Sequence, residues 1–98
     1  MADDLTFEWD PWKERANRSK HAVSFEEART VFLDPNAVEF YDEEHSATEE
    51  RFLILGHSRR LRLLMVSCAY RERSSLIRII SARKATMRES THYPGGAQ

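Results

Sequence analysis

The spacing of apolar residues changes character near residue 37: before it they recur at helical intervals, and after it they come in short runs with a period of two. "LTFEW" (5–9) is a short strand candidate, after which Asp10 offers a side-chain cap and Pro11 a residue suited to the first helical position. This predicts a helix from Pro11 to about His21. Ser24 and Glu27 have capping-box spacing, and Phe25, Ala28, Val31 and Phe32 keep a helical period, so a second helix is predicted to reach about Leu33, where Asp34-Pro35 stops it. "AVEFY", "RFLIL", "LRLLMVSCAY" and "LIRIISA" then predict four strands, separated by an acidic loop at 42–50 and turns in "GHSRR" and "RERSS", the pattern of an antiparallel meander. In the last strand Leu76, Ile80 and Ala82 are expected to point one way and Ile77 and Ile79 the other, which predicts an interior strand with two apolar faces. Thr86 and Glu89 form a second capping-box pair that opens a short helix before Pro94-Gly95-Gly96. The predicted fold is α+β, an antiparallel sheet meander with two N-terminal helices and a short C-terminal one, in the order β-α-α-β-β-β-β-α.

A chain of 98 residues, 41% of them hydrophobic, suits one domain over 1–98, with 1–4 and 94–98 expected as flexible ends. Cys68 is the one cysteine and lies in an apolar run, so there is no disulfide framework and it reads as a small core residue. No apolar stretch approaches the ~20 residues that span a bilayer, and "MADDLTFEWD" is acidic where a signal peptide is basic and then apolar. A cytoplasmic protein without membrane contact is expected. Net charge is −1, yet residues 1–50 hold 14 Asp/Glu against 5 Lys/Arg and residues 51–98 hold 10 Lys/Arg against 2 Asp/Glu. Either the two halves neutralise each other across the fold, or the arginine-rich half is a nucleic-acid surface.

Candidate chemistry is sparse. Lys13, Asn17, Lys20 and His21 share one face of the first predicted helix, either as a solvated face whose last-turn cations oppose the macrodipole or as a basic, hydrogen-bonding surface. "YDEEHSATEE" (41–50) is acidic but has neither an EF-hand pattern nor the glycine of such a turn, and it is read as a solvated loop without metal. His45, His57 and His92 are assigned no catalytic role. A glycine-rich phosphate loop and a serine-nucleophile elbow are absent. The remaining set of arginine, lysine, histidine and glutamate can cleave RNA without a cofactor: a base deprotonates the 2′-hydroxyl, cations stabilise the phosphorane, and an acid protonates the leaving oxygen.

"FEWDPWK", "NRSKHAVSFEEA", Asp34-Pro35, "EERFLILG", "ER" at 72–73 and "IRIISARKATMRE" together resemble the BrnT family of type II toxin–antitoxin ribonuclease toxins, over about Phe7 to Tyr93. The resemblance implies a RelE-like fold and a metal-independent endoribonuclease that arrests translation and growth. It implies as partner a small DNA-binding antitoxin, BrnA, with which the toxin forms a hetero-oligomer that represses its own operon, reaching operator DNA through the antitoxin. A catalytically weak, toxin-like corepressor is the alternative, and a metal nuclease comes last.

Carried over by the resemblance, the family's polar positions fall on Lys13, Asn17, Lys20, His21, Glu49, Arg51, Glu72, Arg73, Arg78, Arg83 and Thr86. Arg83 leaves a predicted interior strand just before a helix N-terminus, and Arg51 opens a strand beside the acidic loop. Both are assigned as phosphate and transition-state stabilisers. Lys20 and His21 are assigned to proton transfer or charge stabilisation and Glu49 to the role of a base, with Lys13, Asn17, Arg73 and Lys84 binding RNA. Arg78 alternates with Leu76 and Ile80 and reads as an ion-pair or packing residue. Ala22 stands where the family usually has glycine after the Lys-His pair, at a cost of about 1 kcal/mol if the left-handed cap is kept. The last helix also carries fewer cations than the family's usual basic tail.

Overall fold

The computed structural model describes residues 5–71 and 75–94. Its elements are β1 (Thr6–Glu8), α1 (Pro11–His21), α2 (Phe25–Arg29), which tightens into a 3₁₀ turn (Thr30–Leu33), β2 (Val38–Tyr41), β3 (Phe52–His57), β4 (Leu63–Arg71), β5 (Leu76–Lys84) and α3 (Met87–Ser90). A further 3₁₀ turn, Glu43–His45, sits in the acidic loop. The order is the one the sequence predicts, and the strands form one sheet, β1-β5-β4-β3-β2. The meander from β2 to β5 is antiparallel throughout, but β1 pairs with β5 in parallel, Thr6 to Leu76 and Glu8 to Arg78. The sheet is therefore mixed, because the two N-terminal helices carry the chain from β1 back across one face before β2 begins, and β1 is left along the outer edge of β5.

That face is the main core. Val23, Phe25, Ala28 and Val31 are fully buried against Ile54, Leu64, Val66, Cys68, Ile77, Ile79 and Ala82. Leu55, Met65 and Tyr93 form a second cluster on the opposite face, with Phe40, Leu53, Leu63 and Ala85. The C-terminal segment thus covers only part of the second face.

Ala82 joins Ile77 and Ile79 in the main core, not Leu76 and Ile80 as strict alternation requires. The cause is a β-bulge: Ser67 pairs with Ser81 while Cys68 pairs with Ile79, so Ile80 is an extra residue and every later side chain of β5 changes face. Gly56 lies inside β3 and not in the following turn. A Cβ there would stand 2.9 Å from Val31 Cγ1 and 3.0 Å from Ala37 Cβ, so only glycine lets the α2 segment approach this closely. The turn falls at 58–62, where Leu61 adopts φ 62°.

α1 begins as predicted, with the Asp10 carboxylate accepting from Trp12 N, and ends on Ala22 at φ 59°, ψ 33°, whose N–H donates to Arg18 O. The left-handed cap is kept without glycine. Ser24 accepts from Glu27 N, but the Glu27 carboxylate does not return to close a capping box. It is taken by Arg62 through two hydrogen bonds and by the Ser58 hydroxyl at 2.6 Å, and Arg62 also donates to Ala22 O at 3.0 Å. These bonds hold the Glu27 carboxyl below its usual range despite burial.

Candidate active site

Asn17 fixes the position of α1. It is buried, and its carboxamide donates to Val23 O (2.9 Å) and Ala82 O (2.8 Å) and accepts from Ala82 N (3.1 Å). β1 covers only the first residues of β5, so beyond them the outer edge of β5 is free, and the Asn17 amide fills it as a strand would. Lys13, Lys20 and His21 share the Asn17 side of the helix and flank β5 at its C-terminal half, Lys13 and Lys20 exposed and His21 half-buried.

On the sheet face away from α2, Arg83 aligns with Met65 and Leu55, and Ser81 with Ser67 and Leu53. Arg78 aligns with Ala69, the row that Arg51 reaches from just ahead of β3. Arg51 and Arg83 therefore share a face but lie four residues apart along the strands, about 13 Å at ~3.3 Å per residue. Arg83 is not a bare cation. Its guanidinium grips Glu89 bidentately at 2.8 and 2.9 Å, while Glu89 also accepts from Thr86 N in a complete capping box. The Arg83 hydrogen bonds hold the Glu89 carboxyl down at about 2. Lys84, on the other face, is exposed.

Arg51 is differently placed. Its Nε is buried and makes no hydrogen bond, the Glu49 carboxylate being 3.8 Å away. Glu49 turns instead to Arg71, at 3.2 Å, and Arg71 reaches Glu8 across the sheet at 3.5 Å. Arg51 lines a cleft of about 190 Å³ with Asp42, His45, Leu53, Ser67, Ile80 and Ser81. The bulge makes this cleft, since it brings both Ile80 and Ser81 to its wall. Nearer β1, Arg71 and Arg78 line a second cleft with Glu8, Trp9 and Asp10. Arg73 lies outside the described residues.

Sequence reasoning missed three clusters: Glu27–Arg62–Ser58 and Asp34 with Tyr93, whose partners are far apart in the chain, and Asp42 with His45, which are not. Asp34 is paired with residues remote in sequence, accepting from His57 N at 2.8 Å and from the Tyr93 hydroxyl at 2.6 Å. Burial raises its carboxyl, but these bonds and that from Asn36 N outweigh it, leaving the group below its usual range. His45 Nδ1 lies 2.9 Å from Asp42 Oδ2, an i, i+3 pair in a turn that spacing could have suggested. Asp42, Glu44 and His45 also bring one ligand atom each within 4.8 Å of one another.

Residues 9–89 match the family model described as the ribonuclease toxin BrnT of a type II toxin–antitoxin system. The chain belongs to the BrnT family. It is thus a ribonuclease toxin of a type II toxin–antitoxin system, whose partner is a protein antitoxin. Among solved structures it is similar to the ribonuclease toxin BrnT of Brucella abortus, at 21% identity and a TM-score of 0.64, covering 85% of this chain and 99% of the other. That likeness establishes the α+β fold. Comparison with curated protein sequences gave no match. No helix among the described residues is long and apolar enough to cross a membrane.

Proposed function

We propose that this BrnT toxin is a metal-independent endoribonuclease of the cytoplasm that binds RNA across the bulged half of β5, between the cationic face of α1 and Arg51. The observation that carries the reading is the Arg51 guanidinium: half-buried in a cleft with two serine hydroxyls, with its Nε lacking a hydrogen bond. A desolvated cation without a full set of acceptors is costly in the free protein and is relieved by a phosphodiester. Lys13, Lys20 and His21 supply further positive charge along the strand edge, with Lys84 extending the RNA-binding surface, while Arg73 is kept as an RNA contact on the family resemblance alone. Arg83 acts at one remove, by anchoring α3 through Glu89. Glu49 is drawn off by Arg71 and serves as a base only if that pair opens. Asn17 supports the surface by fixing α1. The antitoxin is of the BrnA type and links the complex to operator DNA.

The test is cleavage of total cellular RNA by purified protein, with and without a chelator. Cleavage that survives chelation, and falls by about 100-fold or more in Arg51→Ala with the fold intact, is the expected result. Cleavage abolished by the chelator overturns metal independence. Intact RNA with soluble, folded protein favours the corepressor reading.

A further inference from the structure

We propose that His45, oriented by Asp42, is the proton acceptor of RNA cleavage in the Arg51 cleft; the inference rests on the ribonuclease reading above. The two residues belong to a 3₁₀ turn and its preceding residue, tied down at several points. Asp42 N donates to Arg51 O at 2.9 Å, His45 N and the Ser46 hydroxyl donate to Asp42 O, and Arg51 N donates back to the Ser46 oxygen at 2.9 Å. The acidic loop is therefore closed onto the start of β3, and a dyad and a guanidinium come to line the same cleft.

The Asp42 side chain is only 12% exposed and takes the Nδ1 proton of His45 at 2.9 Å, whereas the imidazole is 61% exposed. A carboxylate on Nδ1 selects the tautomer that leaves Nε2 as an acceptor, and among the described residues Nε2 has no protein partner. That is the arrangement of a general base: geometry holds the ring, and the neighbouring carboxylate stabilises the imidazolium once a proton arrives.

The chemistry balances without a metal or an oxidant. His45 Nε2 takes the proton of the ribose 2′-hydroxyl as the 2′-oxygen bonds to phosphorus and the bond from phosphorus to the 5′-oxygen breaks. Arg51 neutralises the charge that gathers on the non-bridging oxygens. The 5′-oxygen takes its proton from water, and the imidazolium returns its own to the solvent in the open cleft. The products are a 2′,3′-cyclic phosphate and a 5′-hydroxyl.

The experiment measures cleavage of total cellular RNA, together with binding of a fluorescent single-stranded RNA, for the wild type, His45→Ala, His45→Gln and Asp42→Asn. Both His45 variants are expected to lose about 100-fold or more in rate while binding RNA within a few-fold of wild type. Free imidazole should restore part of the rate to His45→Ala, which no structural role predicts. Asp42→Asn, a positioning change, should lower kcat with little change in KM. Wild-type rates in His45→Gln overturn the assignment and leave the ribonuclease reading standing. Rescue of a chelated wild type by added Mg²⁺ overturns it too, since a metal-bound hydroxide can then take the 2′-hydroxyl proton. If the wild-type chain cleaves no RNA, the ribonuclease reading falls and takes the dyad with it.

Discussion

Asn17 and Ala22 show how much of α1 depends on single residues. The Asn17 carboxamide satisfies three backbone groups, two of them on Ala82, and truncation strands all three in a dry site. Asn17→Ala is expected to cost on the order of 3 kcal/mol, seen as a lower denaturation midpoint in urea. An unchanged midpoint would mean that water replaces the amide. Ala22 sits in the left-handed region at φ 59° while its carbonyl receives Arg62, a backbone role that any residue keeps. Ala22→Gly should therefore stabilise by about 0.5–1 kcal/mol, visible as a rise in Tm, since strain is relieved and no contact is lost. Cys68 is fully buried in the main core, and burial pushes its thiol up to about 12. It behaves as the apolar core residue that its surroundings in the sequence predict.

At the scale of elements, α3 is the piece most dependent on charge. It is one turn long, too short to persist alone, and Glu89 holds it twice, through the Thr86 cap and through Arg83. The Glu89 carboxyl lies at about 2, below the ordinary 4.5, so the unfolded chain takes up the proton first as pH falls. The stabilisation is accordingly complete above about 4.5 and is lost as pH falls through about 2. Amide exchange in 87–90 should accelerate over that window before the sheet opens, and in Glu89→Gln the acceleration should be present at neutral pH. Because the Arg83 side chain is 40% exposed, solvent screening limits the pair to about 1 kcal/mol or less. Equal protection of α3 in Glu89→Gln and wild type would show that Tyr93 packing alone docks the segment.

Over the whole molecule, part of the opposed charge of the two halves is spent across the fold. Glu27 pairs with Arg62, and Glu8 and Glu49 with Arg71, each joining an acid of the first half to an arginine of the second. The field left for a partner is smaller than a net +8 suggests, although Arg59 and Arg60 of the β3–β4 turn and Lys84 stay exposed. Antitoxin affinity should still fall as salt rises, but more shallowly than eight free charges require, and titration calorimetry at low and high salt reads this directly. Affinity flat across salt would assign the contact to apolar residues such as the exposed Leu61 and Trp12.

Local pattern alone determined the element order, the cap at Asp10, the capping box at Thr86 and the burial of Cys68, because each follows from residues within one turn or one strand. The family was legible for the same reason, in blocks of contiguous residues. Tertiary structure decided what depends on partners far apart in sequence. The parallel pairing of β1, the bulge that turns Ala82 inward and Ser81 toward the cleft, and the claim of Glu89 on Arg83 all concern which neighbour a residue meets. Alternation assumes an unbroken ladder, so one extra residue at Ile80 was enough to reverse a face. The sequence likewise named Arg51 as a cation beside an acidic loop, but only the fold left its Nε without a hydrogen bond and put an oriented histidine in the same cleft.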